Sequence, residues 1–252
     1  MLKYNGNVIK LSGSWANYVL PYTPTLPSKT MRFEFSDSSC DPTNGSGWKS
    51  GSVWTRVSSS PNVWDYYRNS DDWSFEFVSN DPIIPTMSGF KILEANLSGV
   101  TNMYGACLAE YQSRDQFFLY CTEIDNLYVP DINGMVFAFA YELVIDGRGQ
   151  SNLRSLAFAP GSFENGSNIS CEGMCCGRLS LQTVPMFDTT HVINVNSMFR
   201  NCEYVESGAL ALYEQMVNQT NVPTYHDNCF FNCGVETTSG LNENRQIPRG
   251  WR

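Results

Sequence analysis

One phrase recurs along this chain with loops of unequal length between its copies, and that pattern admits few ways of folding. Its fullest form is Val192-Ile-Asn194-Val195-Asn-Ser-Met198-Phe199-Arg-Asn201-Cys202. Upstream, Val100-Thr-Asn102-Met103-Tyr-Gly-Ala106-Cys107 has the same grammar, and Val129-Pro-Asp131-Ile132-Asn-Gly-Met135-Val136 repeats it with Asp for Asn. Asn168-Ile-Ser-Cys171-Glu-Gly173-Met174-Cys175 keeps the second half, and Phe230-Phe-Asn232-Cys233 copies the ending. The starts at 100, 129, 168 and 192 give steps of 29, 39 and 24, which is a degenerate repeat.

A single copy has too few apolar side chains to bury a face alone, whereas stacked copies cover one another. The expected repeat core is Val100, Met103, Val129, Ile132, Met174, Cys175, Val192, Val195, Met198, Phe199, Cys202, Phe230 and Cys233. The recurring Asn or Asp suits a turn, where a short polar side chain bonds nearby backbone. A small residue (Gly105, Gly134, Gly173, Ser197) then lets the chain bend or pack closely.

The phrase Val184-Pro-Met-Phe187-Asp188-Thr-Thr-His-Val192-Ile-Asn194-Val195-Asn-Ser-Met198-Phe199-Arg-Asn-Cys202 resembles the BspA-like class of leucine-rich repeat, and Leu93 to Met103 is a second match. The tail, from Ser207 through Phe231-Asn-Cys233-Gly to Gln246-Ile-Pro248, resembles the closing segment of repeat proteins of gut Bacteroidetes and their phages. The resemblance covers residues 88–252, is poor across 108–170, and is weak in the N-terminal third. It implies an α+β, β-rich fold: a short, irregular leucine-rich-repeat-like solenoid at 88–252 behind a β-rich N-terminal cap or attachment region at 1–87.

With 252 residues the chain can bury a substantial core. A formal charge of −9 argues against a nucleic-acid partner, which requires clustered Lys and Arg. The first residues lack a basic segment followed by a long apolar stretch, so ordinary secretion is not expected. The most apolar run, Met135 to Ile145, is too short to span a bilayer, so no membrane insertion is expected. Nine cysteines, an odd number, point to mostly reduced thiols.

Residues 7–12, Thr30 to Phe35 and Val53 to Val57 read as strands, with Pro21, Pro24 and Pro27 marking an extended connector. Ser36 to Gly51 reads as an exposed loop. Val63 to Arg68 suits a helical turn or a strand equally, and periodicity does not separate them. Residues 108–170 read as buried strands or short helices under an elaborated loop. Asp81-Pro-Ile-Ile-Pro85 places a soft boundary near residue 88. Glu203 to Gln219 is the clearest helix, followed by a tail docked through Ile247 and Trp251.

Enzyme signatures are weak. Cys171, Cys175, Cys176, Cys229 and Cys233 offer thiolates, but structural zinc favours tighter knuckles, and Cys175 and Cys233 stand where the repeat wants an apolar residue. No metal or cofactor is expected. His191 and His226 both fall in polar loops, no spaced carboxylate pair marks a glycosidase, and Gly147-Arg-Gly149 reads as a turn. Five of six Trp residues lie within the first 73 positions. Core filling is their commoner use, yet Trp48 in its Gly/Ser loop and Trp54 are candidates for stacking on a ligand.

The expected function is therefore non-enzymatic: a phage virion protein, such as a head or tail fibre or a decoration component. Its partners would be other virion proteins or itself as a homo-oligomer, with a bacterial surface glycan or protein as the target. The alternatives are a bacterial surface adhesin of the same repeat family and a particle-borne polysaccharide-degrading enzyme.

Overall fold

The computed structural model describes residues 3–4, 7–8, 22–45, 47–78, 89–108, 117–141, 152–234 and 246–252. Short runs rich in Val, Ile, Phe, Tyr and Trp form its strands. Lys3–Tyr4 (β1) and Asn7–Val8 (β2) pair antiparallel. Thr30–Phe35 (β3), Ser52–Arg56 (β4), Val63–Arg68 (β5), Phe90–Asn96 (β6), Cys121–Tyr128 (β7) and Ser155–Phe158 (β8) form one open sheet. Its order is β4-β5-β3-β6-β7-β8. The joins β4–β5, β5–β3 and β3–β6 are antiparallel, whereas β6–β7 and β7–β8 are parallel. Ile169–Ser170 (β9) and Val192–Asn194 (β10) make a separate parallel pair.

This architecture overturns the α+β class and the leucine-rich-repeat solenoid. The described chain is mostly β, built on an open, mixed six-stranded sheet, with one α-helix among its described residues. A leucine-rich-repeat coil contributes one parallel strand and a helical or 3₁₀ return per copy. Here β3, β4 and β5 are antiparallel, and the copies are joined beside the sheet mainly by isolated bridges between turns. The soft boundary near residue 88 falls between strands of one sheet, since β3 pairs with β6 along its length. Val63–Arg68 is a strand because β3 and β4 pair with its two sides.

The repeated phrases stack as six turns. The N–H groups of Trp73, Met103, Met135, Cys171 and Val195 donate to the carbonyls of Asn102, Gly134, Ser170, Asn194 and Tyr225 at 2.7–2.8 Å. Parallel bridges run from Asp72 to Asn102, Gly134 and Ser170, and from Asn194 to Tyr225. Every turn closes in the same way, with Glu76, Ala106, Ala138, Met174, Met198 and Cys229 donating to the residue three before at 3.1–3.2 Å. The second copy sits in a different register from the one its spacing suggests, because Met103 pairs with Met135 and not with Ile132. A further copy, Asp72-Trp73-Ser-Phe75-Glu-Phe77, opens the ladder. Every residue assigned to the repeat core is buried, from Val100 and Met103 to Phe230 and Cys233.

Helix α1 (Ala209–Asn218) begins later than expected. Gly208 at its start has φ +91, where a Cβ would lie 2.5 Å from the Val184 carbonyl oxygen. Residues 203 and 204 form a turn, and Glu206 N–H then donates to Gln182 O at 2.8 Å in place of a helical partner. Leu212 and Met216 bury its apolar face. No helix among the described residues is long and apolar enough to cross a membrane.

Candidate functional site: an aromatic rib on stacked turns

Each turn holds its third residue at positive φ: Phe75 (50°), Gly105 (57°), Phe137 (52°), Gly173 (58°), Ser197 (53°) and Asn228 (56°). Gly and Asn tolerate that conformation, but a bulky residue there is an outlier. The two phenylalanines share a feature. A Cβ built on Gly105 would lie 2.7 Å from Cε1 of Phe75, and one on Gly173 would lie 2.2 Å from Cε1 of Phe137. Each ring occupies the space of its neighbour's missing side chain, so large and small alternate over the first four turns. The same alternation runs through the interior as Phe77, Cys107, Phe139 and Cys175, before Phe199 and Phe230 stack at 5.9 Å.

The outer column and Tyr104, which adjoins it, form an aromatic rib. Phe75 is 36% exposed and Tyr104 40% exposed, their rings 5.0 Å apart and edge to face. Phe137 follows two turns along and is half-buried. Polar side chains edge this rib and are already held in place. Asp72, Asn102 and Asn194 each accept the N–H two residues on, at 2.9, 3.2 and 3.0 Å. Asn102 Nδ2 donates to Asp72 and Ser74, and Asn194 Nδ2 donates to Glu172 at 3.1 Å. Hydrogen bonds from the Ser74 hydroxyl and N–H hold the Asp72 carboxyl below the usual aspartate value.

Two buried polar groups brace the turns from inside. Glu76, next to Phe75, accepts from the Tyr66 hydroxyl and the Arg68 guanidinium. Burial pushes its carboxyl above the usual glutamate value in spite of both partners. Arg178 is fully buried and spans the ladder, donating to the carbonyl oxygens of Phe139 and, at 3.2 Å, of Cys107. The tail closes the far end: Trp251 O accepts from Phe230 N–H at 2.7 Å, and the Trp251 ring stacks on His226 at 4.2 Å.

The structure brings Trp48 and Trp54 together, at 5.1 Å between rings, and sets both half-buried against the core. Trp48 Nε1 donates to Pro42 O at 2.9 Å, and its ring meets Phe117 at 5.4 Å. Neither indole belongs to the rib. His191 lies apart, in an open groove of about 560 Å³ with Asn168, Thr190, Asn221 and Thr224. None of the nine cysteines forms a disulfide, and no three His, Cys, Asp or Glu side chains among the described residues could hold a metal ion. Trp15, Asp81 to Pro85, Glu142 and Gly147 to Gly149 lie outside the described residues.

Phe75, Tyr104 and Phe137 were not singled out by the sequence reading. The available signal was the alternation in Trp73-Ser-Phe-Glu-Phe, Met103-Tyr-Gly-Ala-Cys, Met135-Val-Phe-Ala-Phe and Cys171-Glu-Gly-Met-Cys. The register centred on Ile132 hid it, because that register aligns Gly134 where Phe137 belongs. Comparison with protein-family models, curated proteins and solved structures gave no match.

Proposed function

We propose that this chain is a non-enzymatic structural and recognition protein of a phage particle, a head or tail fibre or decoration component, and that the aromatic rib is its contact face. The observation that carries this reading is the placement of Phe75 and Tyr104, exposed rings on turns that are hydrogen-bonded to one another. Rigid aromatic side chains make favourable contacts because little conformational entropy is lost when they bind. The two phenylalanines also hold an unfavourable backbone conformation, a cost that concentrates at functional positions. The resemblance of residues 88–252 to repeat proteins of gut Bacteroidetes and their phages supports the particle setting, as does a surface polarised by Ser, Asn and Thr with only 16% charged residues.

The test is adsorption. Purified chain added to host cells ahead of the particles should reduce particle attachment, and Tyr104→Ala should weaken that competition without lowering thermal stability. Unchanged attachment at saturating wild-type chain would contradict the reading.

A further inference from the structure

Phe75 and Phe137 share one column, one backbone conformation and one kind of neighbour, a glycine filled by the ring. They are separated by a single intervening turn, that of Met103 to Cys107. Strands hydrogen-bonded side by side lie about 4.8 Å apart, so the two phenylalanine positions repeat at about 9.6 Å along the ladder. That repeat is close to the length of a disaccharide in an extended β-1,4-linked chain. In such a chain successive sugars face opposite ways, and every second sugar presents the same face. We propose that the rib binds a neutral β-1,4-linked polysaccharide laid along the ladder, with alternate sugars stacked on Phe75 and Phe137 and Tyr104 contacting the sugar between them. This inference rests on the recognition role of the rib and names its ligand class.

The polar edge fits the same ligand. Ser74, Asn102, Glu172 and Asn194 border the column, and their mutual hydrogen bonds fix them before any ligand arrives. Amide and carboxylate oxygens can each accept more than one hydrogen bond, so these groups retain capacity for sugar hydroxyls. The charge selects among polysaccharides. Asp72 and Glu172 lie on this edge and the chain carries a net charge of −9, whereas the adjoining Asp71 is ion-paired with Lys29. A uronic-acid or sulfated glycan would meet like charge, whereas a neutral one would not.

The experiment measures affinity of the full chain for three soluble hexasaccharides: β-1,4-linked glucose, β-1,3-linked glucose and α-1,4-linked glucose. Binding is expected for the β-1,4-linked chain alone, with affinity falling about tenfold in Tyr104→Ala and further in Phe75→Ala. Tyr104→Ala removes an exposed ring and leaves the turn backbone unstrained, so it reports on contact rather than folding. Equal affinity for the three linkages, or β-1,4 binding indifferent to both variants, would overturn the inference. If no hexasaccharide binds while Tyr104→Ala still weakens competition for host cells, the glycan class is wrong and the recognition role stands. If neither binding nor competition occurs, both fail.

Discussion

A methyl group at residue 173 would have nowhere to go, since the Phe137 ring already fills its place. Gly173→Ala should cost about 3 kcal/mol, combining overpacking with a positive φ. In a Phe137→Ala background the same change should cost only about 1 kcal/mol, the backbone part alone. Equal costs in the two backgrounds, read from urea unfolding midpoints, would show that ring and glycine are not coupled. Arg178 makes a second residue-scale case. Arg178→Met keeps the bulk but strips the Phe139 and Cys107 carbonyls of their donor, and should destabilise by about 3 kcal/mol. The thiols give a third. Burial pushes Cys121 and Cys175 up to about 12 and Cys40 to about 11. A thiol reagent at neutral pH should therefore label only the half-buried Cys40 and Cys176 of the native protein, slowly, and all nine after unfolding. Rapid native labelling of Cys171 or Cys229 would contradict the packing described.

At the scale of elements, β6 holds the segment before β3 through one carboxylate. Glu94 accepts from Thr25 N–H at 2.6 Å, Leu26 N–H at 3.3 Å and the Tyr22 hydroxyl at 3.1 Å. Partial burial raises its carboxyl, but these hydrogen bonds outweigh burial and leave it below the usual glutamate value. Tyr22 is pushed up to about 12 by burial and by Glu94. A depressed carboxyl contributes stability above its unfolded value and loses it as pH falls through its folded one. Wild type should thus exceed Glu94→Gln in stability at neutral pH, and the two should converge in acid; parallel curves would remove Glu94 from the account. Strands β3 and β4 were legible because their alternation is local: Met31, Phe33 and Phe35 face the core along β3; β6, β9 and β10 were not, and nothing local separated strand from helix at β5, β7 and β8. The register of the copy at 129–136 was not legible, since a degenerate phrase can slide until hydrogen-bond partners fix it. Trp48 misled for a related reason, because a Gly/Ser loop looks exposed in sequence and only the folded chain returns its indole to Trp54 and Phe117.

For the whole molecule, the repeat was visible and its architecture was not. Turns can stack with many kinds of connection, and nothing within one copy says that three antiparallel strands from the N-terminal third will join the sheet at β6. The repeat core was readable because each copy brings apolar residues to one side, and those residues are buried together from Val100 to Cys233. The rib was hidden, since it depends on which copies adjoin. The proposed role belongs to an assembly, and so does its most direct test: mass spectrometry of purified phage particles from the source culture, with copy number measured against the major capsid protein. The chain is expected in particles at a fixed stoichiometric ratio, many copies for a head protein or a few for a tail fibre. Its absence from particles, with the chain recovered from the bacterial envelope instead, would contradict the account and favour a surface adhesin.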